Sequence, residues 1–125
     1  MSYLKEISEA VKISKKYQNK IAILKCTSIY PAPAETLNLN GIISLKKKFN
    51  IPVGYSDHYL GIESAVNAVS FGATIIEKHF TLNKSLKGAD HKISLEPKEF
   101  SEMVKKIRLI QLMSGNSKLT PTKNE

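Results

Sequence analysis

Two histidines carry the chemistry most open to inference in this sequence. His58 ends the run Ile51-Pro52-Val53-Gly54-Tyr55-Ser56-Asp57-His58. His79 comes at the close of Ala73-Thr74-Ile75-Ile76-Glu77-Lys78-His79-Phe80. Two neutral imidazoles brought together suit a divalent ion such as Mn2+, Fe2+, Co2+ or Zn2+, with water and substrate oxygens filling the other positions. Taken singly, each has a plainer reading. His58 is then a capping or surface residue, and His79 follows a strand end closed by a Glu77–Lys78 ion pair.

Other polar residues fall near the pair. Asp57 is placed to orient an imidazole from behind, or else to cap a turn or helix. Asp90 and His91, in the polar stretch Gly88-Ala89-Asp90-His91, can reach the site from the following loop, or remain solvated. Ser28 and Tyr30 follow an earlier apolar run. The Tyr30 hydroxyl suits a polyol ligand, while packing of its ring on Pro31 or Pro33 is the structural alternative. Cys26 has no His or Asn at a recognisable spacing and reads as a small buried strand residue rather than a nucleophile.

The elements that must position these residues follow from periodicity. Between the two histidine runs lies a helical pattern, opening near Gly61 with Ile62, Ala65, Val66 and Val69 and stopping at Gly72, a C-cap glycine. Strand, helix, strand over this length is a βαβ unit, whose crossover makes the strands parallel neighbours. Both imidazoles then emerge at C-terminal strand ends, where α/β folds place their chemistry. Upstream, Leu4, Ile7 and Val11 predict a helix over 3–17, and Ile21–Leu24 a buried parallel strand. An extended loop at Pro31 and Pro33 follows, then a helix marked by Leu39, Ile42, Leu45 and Phe49. Strands are expected at 51–55 and 74–78. The last helix starts at Pro97, buries Phe100, Met103, Val104, Ile107 and Ile110, and stops at Gly115. The order is αβαβαβα. Three parallel strands in sequence cannot close on themselves and leave two open edges, so the pattern predicts part of a barrel rather than a complete fold.

Composition narrows the function classes. At 125 residues the chain is at most one domain, long enough for a real core. One cysteine excludes an internal disulfide framework and fits a reducing cytoplasm. Met1 leads straight into an amphipathic pattern with charges of both signs, unlike a signal peptide, and no apolar stretch approaches the roughly 20 residues that span a bilayer. The net charge of +8 raises nucleic-acid binding, but the lysines are dispersed along helix faces with no interleaved aromatic platform. Neither nucleic acid nor a membrane is an expected partner.

Read together, several segments resemble the sialic acid (nonulosonate) synthase family. They are Lys25-Cys26-Thr27-Ser28-Ile29-Tyr30-Pro31-Ala32-Pro33, Pro52 to His58, Ile76-Glu77-Lys78-His79-Phe80-Thr81, and Gly88 to Pro97. The resemblance implies a (β/α)8 barrel that condenses phosphoenolpyruvate with N-acetylmannosamine or a related N-acylated sugar, releasing phosphate for cell-surface carbohydrate biosynthesis. It implies a divalent metal, Mn2+ or similar, held by His58 and His79. Ser56 and Ser28 would contact phosphoenolpyruvate, although many members carry Asn in place of Ser28, and Tyr30 and Asp90 would hold the sugar. Asp90-His91-Lys92 points to an N-acetylneuraminate or legionaminate type rather than a pseudaminate type.

By the same resemblance, residues 1–115 correspond to the C-terminal portion of the barrel. Residues 116–125, with Pro121-Thr122, form a tail or linker toward a missing antifreeze-like domain. The first five strands, with their phosphoenolpyruvate-binding lysines, have no counterpart, so the chain alone is expected to be inactive. Self-association, or pairing with a missing N-terminal portion of the barrel, would cover the open edges. Two competing readings remain: a catalytically dead remnant acting as an interaction or assembly module, and a two-histidine metal-dependent hydrolase unrelated to sialic acid.

Overall fold

Three short apolar runs form the three strands of one parallel sheet, each strand beginning two residues later than the run that predicts it. The computed structural model describes residues 2–18 and 20–121. Its elements are α1 (Leu4–Tyr17), β1 (Ile23–Cys26), α2 (Asn40–Lys48), β2 (Val53–Asp57), α3 (Glu63–Ser70), β3 (Ile76–Lys78) and α4 (Pro97–Ser114). Single 3-10 turns occur at Ala34–Thr36 and His91–Ile93.

The strand order is β1-β2-β3, all parallel, as the βαβ pattern requires. The shift in strand starts has a local cause. Pro52 has no N–H to give to a ladder, although its carbonyl accepts the Ile23 N–H at 3.1 Å. Pairing therefore opens at Ile23↔Val53 and runs on into residues the apolar pattern did not include, Lys25↔Tyr55 and Cys26↔Ser56.

Side-chain alternation divides the sheet into two faces. Val53 and Tyr55 point toward the helices and build a core with Ile42, Ala68 and Ala73, against which Ile23, Leu45 and Ile76 pack. A second cluster, Ile62, Ala65, Leu95 and Met103, joins α3 to α4. The helices of these clusters cover one face. The other face carries Leu24, Cys26, Gly54, Ser56 and Glu77.

The helices end as their sequences suggest. Gly72, at φ +94°, follows α3 in a conformation a side chain would resist, and its N–H closes on the Val69 carbonyl at 2.9 Å. At the start of α4, Glu99 accepts the Glu96 N–H at 2.9 Å and pairs with Lys84 at 2.6 Å. The hydrogen bond from Lys84, and then that from Glu96, hold the Glu99 carboxyl below the usual carboxylate range. Its modest contribution is thus present above that range and fades as pH falls through the folded value. Beyond Ser114, residues 116–121 are exposed, and residues 122–125 of the expected linker lie outside the described residues. No described helix is long and apolar enough to cross a membrane.

Gly54 is where the sheet tolerates least. A Cβ there would lie 2.4 Å from Leu24 Cδ2, 2.6 Å from the Ile75 carbonyl oxygen and 2.8 Å from Ile75 Cβ. Gly54→Ala is expected to lower stability by about 1–3 kcal/mol by forcing neighbouring strands apart. Chemical denaturation checks this, and a wild-type midpoint would contradict it.

Candidate functional site

The uncovered face of the sheet gathers the polar residues at its C-terminal end. His58 follows the last residue of β2 and His79 the last residue of β3. Their ring centres are 5.3 Å apart, and Tyr30 stacks 4.0 Å from His58 and 5.8 Å from His79. Backbone bonds deliver each of them. The His58 carbonyl accepts the Ala32 N–H at 2.9 Å, which folds the loop after β1, and Tyr30 with it, over the sheet end. The His79 carbonyl accepts the Leu95 N–H at 2.8 Å, which draws in the loop containing Asp90.

The imidazoles present their nitrogens unequally. His58 Nδ1 lies 2.8 Å from the Thr27 carbonyl oxygen, which can only accept, so Nδ1 carries the proton and Nε2 keeps its lone pair. His79 Nδ1 faces Asp90 Oδ2 at 3.8 Å, a loose contact between a part-exposed ring and an exposed carboxylate. Two rings that each bind one ion through nitrogen at about 2.1 Å have centres about 5 Å apart. The donor set and spacing therefore fit a divalent ion held by His58 and His79. Among the described residues, no further His, Cys, Asp or Glu completes a group of three around such an ion.

Four residues lie elsewhere or act otherwise than expected. Asp57 touches neither imidazole and instead caps the turn after β2, the other role its position suggests. Strand alternation turns it to the helix side, where it accepts the Tyr59 N–H at 3.0 Å, the Ser64 hydroxyl at 2.6 Å and the Lys78 ammonium at 2.9 Å. Glu77 and Lys78 do not pair with each other, because successive strand residues point to opposite faces. His91 turns to Thr81 Oγ1, at 2.8 Å, and leaves the site to Asp90.

Ser56 and Ser28 both sit near the histidines, but differently. Ser56 is buried and donates to Glu77 Oε1 at 2.6 Å, whereas Ser28 is exposed, 4.0 Å from Cys26 Sγ. Cys26 is partly buried, with its sulfur 3.7 Å from His58 Nδ1. Glu77 is the residue that reading by type alone overlooks. It lies two positions before His79 on the same strand face and directly opposite Ser56. Period-two spacing from His79 was the signal that could have found it.

A parallel sheet with sequential strands, helices on one face and a polar, histidine-bearing end on the other is the geometry of part of a (β/α)8 barrel. Comparison with known proteins agrees. The family model described as "NeuB family" matches residues 1–119. An uncharacterized protein of Methanocaldococcus jannaschii is 51% identical over the whole chain, which spans 37% of that relative. The N,N'-diacetyllegionaminic acid synthase of Campylobacter jejuni is 46% identical, again over the whole chain and 38% of its own length. The crystal structure of an N-acetylneuraminic acid (sialic acid) synthetase from Leptospira borgpetersenii superposes with a TM-score of 0.94 at 42% identity, over 100% of this chain and 44% of that one. The chain belongs to the NeuB family, and it spans less than half the length of each of these proteins.

The Thr27 contact gives the site its sharpest check. Nitrogen-15 spectra of the neutral His58 ring are expected to show the proton on Nδ1 and an unprotonated Nε2. The reverse tautomer would contradict the bond to the Thr27 carbonyl.

Proposed function

We propose that this chain carries the metal- and sugar-binding end of a nonulosonate synthase barrel. That enzyme condenses phosphoenolpyruvate with an N-acylated mannosamine-type sugar and releases phosphate. The observation that carries the reading is the convergence of His58, His79, Tyr30 and Asp90 at one strand end, with the His58 lone pair free. His58 and His79 would hold the ion. When bound there, the ion supplies Lewis acidity toward a carbonyl oxygen.

The chain's own residues do the remaining work. The Thr27 carbonyl holds His58 in one tautomer, so that no proton need leave before the ring binds an ion. The exposed Tyr30 hydroxyl and Asp90 carboxylate offer a donor and an acceptor to sugar hydroxyls at the rim. Ser56 and Ser28 line the uncovered face, where they would meet phosphoenolpyruvate. Holding two substrates over one sheet end reduces the entropic barrier to their reaction. The single free cysteine, Cys26, favours a cytoplasmic setting.

Alone, the chain is expected to bind ion and sugar without turnover. Calorimetry should show Mn2+ binding that is abolished in both His58→Ala and His79→Ala, with far-ultraviolet circular dichroism unchanged. N-acetylmannosamine binding should require Mn2+ and weaken at least tenfold in Asp90→Ala. Undiminished Mn2+ binding in either histidine variant would remove the assignment. Phosphate release from phosphoenolpyruvate without any sugar would favour the hydrolase reading instead.

A further inference from the structure

Behind the two histidines, on the opposite face of the sheet, lies a polar cluster that the reading above leaves unused. Asp57 and Lys78 stand directly opposite each other in the β2–β3 register, and neither side chain is exposed to solvent. The Lys78 ammonium donates to Asp57 Oδ2 at 2.9 Å and also, in a short contact, to the Tyr59 carbonyl. Asp57 Oδ1 in turn accepts the Tyr59 N–H at 3.0 Å. One ammonium therefore grips the residues on both sides of His58, while its own chain neighbour is His79. The backbone leading into and out of one candidate ligand is tied to the backbone leading into the other.

We propose that Lys78 is a positioning residue whose ion pair with Asp57 sets the spacing and orientation of His58 relative to His79. The inference rests on reading those histidines as ligands of one ion. It adds that their preorganisation comes from a buried charge pair on the far side of the sheet rather than from groups touching the rings. Ser64 shows what a purely structural member of the cluster looks like. It bonds Asp57 from α3 at 2.6 Å, and no hydrogen bond joins its side chain to Tyr59 or Lys78.

The test uses the full chain with two readouts, Mn2+ affinity by calorimetry and the His58 Nδ1–H signal by nitrogen-15 spectroscopy without metal. Lys78→Met removes the grip but strands the Asp57 carboxylate. The double variant Asp57→Asn/Lys78→Met removes both charges while keeping an acceptor for the Tyr59 N–H and an amide NH2 that can donate to the Ser64 hydroxyl, and it guards against simple misfolding. Asp57→Asn alone is the mildest form. In each folded variant, Mn2+ affinity is expected to fall at least tenfold and the Thr27-bonded His58 signal to weaken. Ser64→Ala should lower the melting temperature while holding Mn2+ affinity within twofold. Folded double and single variants with wild-type affinity and a wild-type His58 signal would overturn the proposal. If the wild-type chain binds no Mn2+, the ion reading fails separately, and the metal-free His58 signal decides the positioning role alone.

Discussion

The register between β2 and β3 is the constraint on which this structure depends. Tyr55↔Ile76, Ser56↔Glu77 and Asp57↔Lys78 are paired, and alternation assigns the first and third pairs to the helix side and the second to the open face. Core packing, the Ser56–Glu77 bond and the Asp57–Lys78 ion pair are thus successive readings of one ladder. A slip of β3 by one residue would turn Ile76 to the open face and bury Glu77 among helices, so the apolar core enforces the alignment that the site uses. Gly54 strengthens this, since its missing side chain lets Leu24 and Ile75 close across the strand.

The cluster behind the site is an expensive way to hold a sheet together. A buried ion pair roughly balances its desolvation cost only when its remaining hydrogen-bonding capacity is met, and losing one partner typically costs about 3–5 kcal/mol. Asp57 meets that requirement with three donors, and Lys78 with a carboxylate and a carbonyl. Tyr55 is the exception. Its buried hydroxyl lies beside this cluster yet finds no partner with hydrogen-bonding geometry, and burial, followed by the Asp57 charge, pushes its pKa well above the usual phenol value. An apolar arrangement would be easier to stabilise, which is consistent with the cluster serving geometry rather than stability.

Much of the fold was legible because it rests on local signals. Apolar periodicity over Leu4–Val11 and Phe100–Ile110, the glycine at 72 and Pro97 each mark an element within a residue or two of its place. The convergence of His58 and His79 followed from the βαβ rule alone. What was not legible depends on which residue sits across from which. Asp57 and Lys78 read as independent polar residues beside histidines, and only the cross-strand register shows that they meet behind the sheet. The Ser56 partner of Glu77 is hidden for the same reason, since sequence alone offers only its neighbour Lys78. The apolar runs begin before the strands because hydrophobicity marks burial, whereas pairing begins where both strands can donate and accept.

The central claim is that two imidazoles, projected from adjacent parallel strand ends, share one ion. Pulsed electron paramagnetic resonance of bound Mn2+ tests it most directly, because each coordinated imidazole nitrogen leaves its own modulation. The account predicts two imidazole couplings in the wild-type chain and the loss of both in His58→Ala and in His79→Ala, because neither ring holds the ion alone. A wild-type spectrum without imidazole couplings, or one unchanged by loss of either histidine, would contradict it.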